Sequence, residues 1–485
     1  MSEFKRQHPV AAITSLLGML RQNIVPIAIF LVVGSRNTGE YFWYFFMFGI
    51  LSTLVLGIFG WLLFTYRVVG DELQINKGIL IRKKLYLTKD RIQVIDITEG
   101  ILQRMFGLVK VEVKSAGSGT ESATISAITR EEAEELRSVL RGESNSSTQS
   151  IDIEHDFEVE TIAKAPSQVW HLPGKDLLLA ALTSGNFGVI ASILGAVSGQ
   201  LEEFINVENI EYITRNIPGL DNTSVYFALF LFIFIVSYIL SFIGVILKYS
   251  DFKIEKNDKE LTITSGLLER KHITVPFNRI QAVRFVEGVL RQPFGFGMLY
   301  AESAGYEKQN QEKSIVLLPF VKKEYLEEFF FEFLNEYTEP ETDVTPPKKA
   351  LFKYLRRPNY MVLILVSVLW IFWEHGWILY SLVVPFSLLG WIRFKDAELG
   401  YTDSVIKLQY RVLAKTTAIL RRNRTQVAEM SINPFQKRKD LASVKLTAAS
   451  GAGGRVFEIY DLEYDDALSV FKWPVEKEEV DEPAN

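Results

Sequence analysis

Apolar residues along this chain come first in long blocks and then in alternation. Six blocks stand out, near 16–34, 41–66, 177–198, 225–247, 360–373 and 377–392, and they fall into three pairs. A helical bilayer crossing needs about 20 predominantly apolar residues. The second members of the first two pairs reach that length. Arg21 interrupts the first block and both members of the third pair are short, so re-entrant or interfacial segments are the other reading there. Tyr41, Trp43, Trp61, Trp370, Trp373 and Trp377 stand at block ends, where amphipathic rings sit at the headgroup level. Asn186, between Gly185 and Gly188, is the polar centre of its block and suits a close helix contact bridged by an amide hydrogen bond.

Between the pairs the pattern changes to period two. ELQIN, ILIRKKLYL, RIQVIDI, LVKVEVKS and ESATISAI alternate or run β-branched, with Gly and Asp-Arg between them, which predicts short strands. The first two of three such modules register on glycine and glutamine. Gly78, Gln93, Gly107 and Gly117 are spaced 15, 14 and 10 apart, and Gly266, Gln281, Gly295 and Gly305 repeat those spacings. A third copy matches at Arg424 and Gln426, then diverges. Asp440 stands where glycine is expected, and Gly451 is one residue out of register. Each module ends in a helical pattern: TREEAEELRSVL, with Thr129 and Glu132 spaced as a capping box, then VKKEYLEEFFFEFL and DDALSVFKW.

The repeated phrase is Arg91-Ile-Gln93, Arg279-Ile-Gln281 and Arg424-Thr-Gln426. At strand period these residues share a face with Ile95 and Ile97, Val283 and Phe285, and Ala428 and Met430. The opposite face, holding Asp96, Arg284 and Glu429, is expected to look outward. The phrase, with Gly107 and Gly295, therefore reads as scaffold, its glutamine at a core edge meeting backbone groups that burial would strand. Asp/Asn-Arg-x-Gln followed by Phe-Gly and Ser-Ala-Gly, each set behind an apolar pair, resembles the bacterial pleckstrin-homology-like (bPH) membrane proteins, and among them the long YdbT-like branch. The resemblance covers modules one and two residue by residue and module three in part. It implies a plasma-membrane protein with cytoplasmic PH-like modules, often accompanied by a shorter one-unit homologue, and says little about chemistry.

The expected fold is an α+β integral membrane protein. Three repeats each place a transmembrane helical hairpin before a PH-like β-barrel or sandwich module capped by a C-terminal helix. Hairpins occupy 1–66, 169–248 and 351–392, modules 67–141, 249–336 and 393–473, linkers 142–168 and 337–350, and an acidic tail 474–485. The linkers are polar and Ser- or Pro-rich and the tail is highly charged, which suits mobile and disordered chain. Basic residues flank the outer ends of the pairs, at Lys5, Arg6, Arg67, Lys248, Lys348, Lys349, Arg393 and Lys395. The 199–223 connector holds Glu202, Glu203, Glu208, Glu211 and Asp221 against Arg215. By the positive-inside rule both termini and all modules are cytoplasmic in a bacterial plasma membrane. The N-terminus shows no cleavage pattern.

Composition removes several classes of chemistry. The 485 residues contain no cysteine, and the five histidines lack metal-ligand spacing. The Gly-rich SAGSGTES and SGAGGRV lack the Gly-Lys-Ser/Thr of a phosphate loop. A net charge of −5 gives no basis for nucleic-acid partners. Neither cofactor, metal nor catalytic residue is expected, and the chain reads as a non-enzyme. Binding has better material. Arg82, Lys83, Lys84, Arg270, Lys271, Arg421 and Arg422 form a candidate face for anionic headgroups or a partner, each charge near the surface contributing about 1 kcal/mol. The expected function is a membrane scaffold binding a protein partner, such as a one-unit homologue, and anionic lipids, in envelope maintenance or stress resistance. The alternative is a lipid or small-solute transporter gated by its modules.

Overall fold

Two three-stranded meanders make each module, and the chain places the two halves of a module in different sheets. The computed structural model describes residues 3–22, 41–70, 72–79, 81–115, 123–141, 168–184, 222–303, 314–338, 340–341, 344–450 and 454–475. Strands β1 (Lys5–Arg6), β2 (Thr65–Val69), β3 (Glu72–Lys77) and β4 (Lys83–Thr88) form the first sheet. A seven-stranded sheet joins β5 (Ile92–Glu99), β6 (Leu108–Ser115) and β7 (Ala123–Thr129) to β8 (Gln168–His171), β9 (Lys253–Lys256), β10 (Glu260–Ser265) and β11 (Arg270–Pro276). A six-stranded sheet joins β12 (Ile280–Glu287), β13 (Phe296–Ser303) and β14 (Ile315–Lys322) to β15 (Glu398–Tyr401), β16 (Val405–Arg411) and β17 (Lys415–Arg421). The last sheet holds β18 (Thr425–Ser431), β19 (Leu441–Ala448) and β20 (Arg455–Glu463).

No barrel closes. The signature strand β5 pairs antiparallel with β11 of the next module, and β12 pairs in the same way with β17. The expectation of self-contained barrels is corrected accordingly: the edge that a barrel would satisfy within itself is satisfied by the neighbouring module. The cores follow the sheets. Val405 and Ile419 of module three pack into the module-two core, and Ala282 of module two packs into the module-three core. Each of the first three sheets also gains a short segment from ahead of its helices: β1 on β2, β8 on β9, and Val344 bridged to Leu399.

The repeated phrase has a backbone cause. The pairing of each signature strand with the following strand slips between Ile92 and Val94, between Ile280 and Ala282, and between Thr425 and Val427. The residue skipped is Gln93, Gln281 or Gln426. A bulge there bends the strand from the preceding turn into the joint. Gln281 is buried and donates from Nε2 to the Arg279 carbonyl at 3.2 Å, as expected of a glutamine at a core edge. Gln426 is exposed, and the side chains of Arg91 and Gln93 lie outside the described residues.

The outward face expected for Asp96 and Arg284 is overturned. Asp96 is 7% exposed, and Arg284 pairs with the fully buried Glu302, because the next module covers that face. Of the three equivalents, Glu429 is exposed.

The closing helices Arg130–Arg141, Leu326–Phe333 and Tyr464–Lys472 each insert apolar residues into their module's core, led by Leu136, Phe329 and Val470. Thr129 Oγ accepts the Glu132 amide at 3.2 Å, while the Glu132 carboxylate takes Lys5 at 2.8 Å instead of returning to the cap. Among the described residues, three helices are long and apolar enough to cross a membrane, Phe230–Tyr249, Lys348–Phe372 and Gly376–Asp396, and a shorter apolar helix spans Phe46–Leu62. The last two of the long helices pack closely. A Cβ on Gly390 would lie 2.5 Å from the Tyr354 carbonyl oxygen, and Asn359 Nδ2 donates to Ser387 Oγ at 2.8 Å. Asn186, the Arg21 side chain, and most of the first members of pairs one and two lie outside the described residues.

Candidate functional site

Every module has an end near its apolar helices and an end far from them. At the near end, the hairpin tips meet the helices. The Gly266 amide donates to Ser250 O at 2.8 Å, the Leu267 amide to Leu247 O at 2.9 Å, and Arg393 Nε to Val412 O at 3.0 Å. These tips carry exposed Ile79 and Ile81, Leu267 and Leu268, and Val412 and Leu413. The loop after each signature strand adds Ile101, Met105 and Phe106, then Val289, Leu290 and Phe294, then Ile432 and Phe435. Gly107 and Gly295 close the first two loops at φ +64° and +69°. In the third copy Asp440 takes the left-handed position, at φ +49°, a conformation that aspartate adopts more readily than most residues. The loops touch across modules: Arg104 Nη1 donates to Leu267 O at 3.2 Å, and Arg411 Nη2 to Gln292 Oε1 at 2.6 Å. The result is a row of apolar tips on the helix side of all three modules.

The seven predicted basic residues divide between the two ends. Arg82, Lys83 and Lys84 are exposed at and after the first tip. Arg270 pairs with Asp251 at 2.6 Å and Lys271 with Glu269 at 3.6 Å beside the second tip. Arg421 and Arg422 sit at the opposite end of β17, where Arg421 pairs with Glu336 and Arg422 donates to Asp403 O at 3.3 Å. They do not form one surface.

The far end holds a cleft of about 1300 Å³ between modules, which the signature turns line with Asp90, Arg279 and Arg424. Arg279 Nη2 donates to Asp90 O at 3.1 Å, and Arg137 pairs with Glu260 at 3.2 Å across the module boundary. Tyr337, whose phenol burial pushes well above its usual range, donates to Ile280 O at 2.9 Å. The ion pairs Arg137–Glu260 and Arg421–Glu336 across the cleft tie modules together. Among the described residues, no group of three or more His, Cys, Asp or Glu is placed to hold a metal ion.

Two features escaped the strand-by-strand reading. One is a buried network at the module 2–3 joint. Glu302, 0% exposed, accepts from Arg284 Nε at 2.5 Å, Ser314 Oγ at 2.8 Å and Ser450 Oγ at 2.5 Å. The other is the pair of strand edges left over. β4 and β18 each border their sheet, whereas their counterparts lie inside the joints. Tyr86 on β4 is 55% exposed, while the equivalent Thr274 and Ile419 are 2% exposed. Val427 on β18 is 45% exposed, while Ala282 is fully buried. Only long-range pairing reveals either feature.

With that geometry in hand, comparison with known proteins adds two findings. Residues 19–144, 192–338 and 351–476 each match the bacterial PH domain. The UPF0699 transmembrane protein YdbT of Bacillus subtilis (strain 168) is 31% identical over 490 residues, covering 98% of this chain and 98% of that protein. No solved structure matches.

Proposed function

Because the chain belongs to the bacterial PH domain family and is a transmembrane protein, we propose that it is a multi-pass, non-catalytic scaffold whose cytoplasmic modules dock a partner protein on the free edge of β18. The observation that carries this reading is the internal precedent. Twice within the chain a signature strand receives the third strand of another PH-like module, and β18 is the signature strand with no such neighbour among the described residues. Strand addition of this kind draws affinity from main-chain hydrogen bonds and specificity from alternate side chains.

The occupant is a PH-like module on another chain, such as a one-unit homologue. The β4 edge is less receptive, since Lys83 and Lys84 are exposed along it and edge lysines discourage strand pairing. β18 carries no lysine or proline.

The test is crosslinking in native membranes, with crosslinked sites mapped by mass spectrometry. A PH-like module crosslinked to residues 425–431 is expected, and it should be lost in a Val427→Lys, Glu429→Lys variant of unchanged thermal stability. Recovery of a second copy alone, no reproducible partner, or undiminished capture by the variant would each reject the proposal.

A further inference from the structure

Where the helix Leu351–Phe372 enters module three, three cations converge on one small cavity. Lys353, Arg356, Arg357, Tyr360, Asn433 and Phe435 line a space of about 190 Å³, roughly the volume of six waters at about 30 Å³ each. Lys353 is 8% exposed, its Nζ lies 3.5 Å from Asp461 Oδ1, and it makes no hydrogen bond. Arg357 Nη2 reaches Asp461 Oδ2 at 2.6 Å, but its buried Nη1 has no hydrogen-bond partner. The guanidinium of Arg356 lies within 5.9 Å of the Phe352, Tyr360 and Phe435 ring centroids, and its buried Nε is also unpartnered.

Lys353 and Arg357 therefore share one buried carboxylate, and Arg356 pairs with none among the described residues. Asp461 supplies a single negative charge and also accepts from Gln436 Nε2 at 2.7 Å. The other nearby acid, Glu463, pairs with Lys349 at 3.2 Å. Buried charge left uncompensated is costly, and guanidinium forks match phosphate oxygens in particular. We infer that this cavity is a binding site for a phosphate-bearing anion, with Arg356 and Arg357 as its forks, Lys353 as a point charge and the Phe435 and Tyr360 rings as its walls. Its place at the charged end of an apolar helix points to the phosphodiester of an anionic lipid headgroup. Inorganic phosphate or a soluble phosphate ester presents the same chemistry.

The full-length chain, purified in detergent, is tested with two probes. Mixed phosphatidylcholine–phosphatidylglycerol nanodiscs followed by native mass spectrometry read retained lipid, and calorimetry with inorganic phosphate reads the free anion. Retention of phosphatidylglycerol by the wild type, reduced at least tenfold in Arg356→Gln, assigns a lipid site. Phosphate binding with the same loss but no phosphatidylglycerol enrichment assigns a soluble anion.

Arg356 makes no ion pair among the described residues, so its loss leaves no buried acid stranded. A second variant, Asp461→Asn, removes the competing carboxylate. Asp461 sits at φ +55°, where asparagine is equally at home. This variant should bind the anion at least tenfold more tightly and gain more thermal stability from it than the wild type. Absence of both ligands from the wild type, or equal binding by Arg356→Gln, would overturn the assignment.

Discussion

Replacing Glu302 with alanine should loosen module three from module two. The carboxylate is fully buried and accepts from Arg284 on β12, Ser314 just before β14 and Ser450 just after β19. Its loss leaves the Arg284 guanidinium, 12% exposed, without its counter-ion. Removing one partner of a buried ion pair costs about 3–5 kcal/mol. The Tyr300 ring 4.2 Å from Arg284 offsets about 1 kcal/mol of this, within the range of about 0.5–2 kcal/mol for a cation–π contact. The net expectation is about 2–4 kcal/mol. At about 1.4 kcal/mol per tenfold, the opened joint becomes some 30- to several-hundred-fold more populated.

Limited proteolysis of the detergent-solubilised chain measures that population when the joint recloses faster than it is cut. Glu302→Ala should accelerate cleavage within module three by at least about 30-fold on that same scale. The double change Arg284→Met, Glu302→Leu, which replaces the pair with apolar volume, should recover most of the loss. Acceleration below about threefold for Glu302→Ala, under 1 kcal/mol, would mean that the shared sheet alone holds the joint and would refute the role given to the network.

Three further outcomes follow from the same structure. Burial lowers the His272 pKa below its ordinary 6.5, with Arg270 and Arg130 acting in the same sense and Glu99 and Glu134 opposing them; the ring sits on β11 opposite Ile97 of β5. A base that stays neutral when folded stabilises fully above its unfolded pKa and loses that contribution as pH falls through 6.5 toward the folded value. Hydrogen exchange of β5 and β11, corrected for intrinsic rates, should therefore show the module 1–2 joint opening below pH 6.5, and His272→Gln should flatten the response. At the hairpin tip, a Cβ on Gly266 would lie 2.1 Å from the Glu269 carbonyl oxygen, with φ at +107°. Gly266→Ala should cost about 1–3 kcal/mol in thermal unfolding, and an unchanged melting curve would contradict the strained turn. If Arg82, Lys83 and Lys84 meet headgroups, phosphatidylglycerol nanodiscs should protect β4 amides in a salt-sensitive way, at about 1 kcal/mol per charge; equal protection after all three become Gln rejects that face.

Local pattern made the strands, the three copies and the apolar helices legible, because period two and block length are written residue by residue. The joints were not legible in the same way. Alternation says that Asp96 and Ile97 face opposite sides, but not that β11, whose Ile273 lies opposite Asp96 177 residues further on, brings the next module over the Asp96 side. The divergence at Asp440 looked like decay of the repeat, yet the backbone there keeps the left-handed turn and changes only the residue that makes it. The third apolar pair looked short because Lys353, Arg356 and Arg357 break the block. The helix runs through them from Leu351, since lysine and arginine propagate a helix about as readily as leucine.

The open ends of the array differ from its internal joints in charge. In both internal joints the signature strand ends on an acid facing a base: Glu99 opposite Arg270, and Glu287 opposite Lys415. Arg82 is the corresponding base on the β4 edge, four residues after Gly78 as Arg270 is after Gly266. At the other end, six residues beyond Gln426, where Gln281 is followed by Glu287, the chain has Ile432, 43% exposed. A second copy docking head to tail would set Arg82 against Ile432, desolvating a cation with no counter-charge. That mismatch opposes open-ended self-association, the hazard of any heterologous contact that does not close. On the proposed docking, the β18 partner carries an uncharged residue where Arg270 and Lys415 stand. Ile432→Glu restores the internal rule at the open end. The variant should form head-to-tail oligomers in mass photometry, and these should disperse when Arg82→Glu is added. A variant that stays in the same oligomeric state as the wild type would show that strand-end charge does not select the partner.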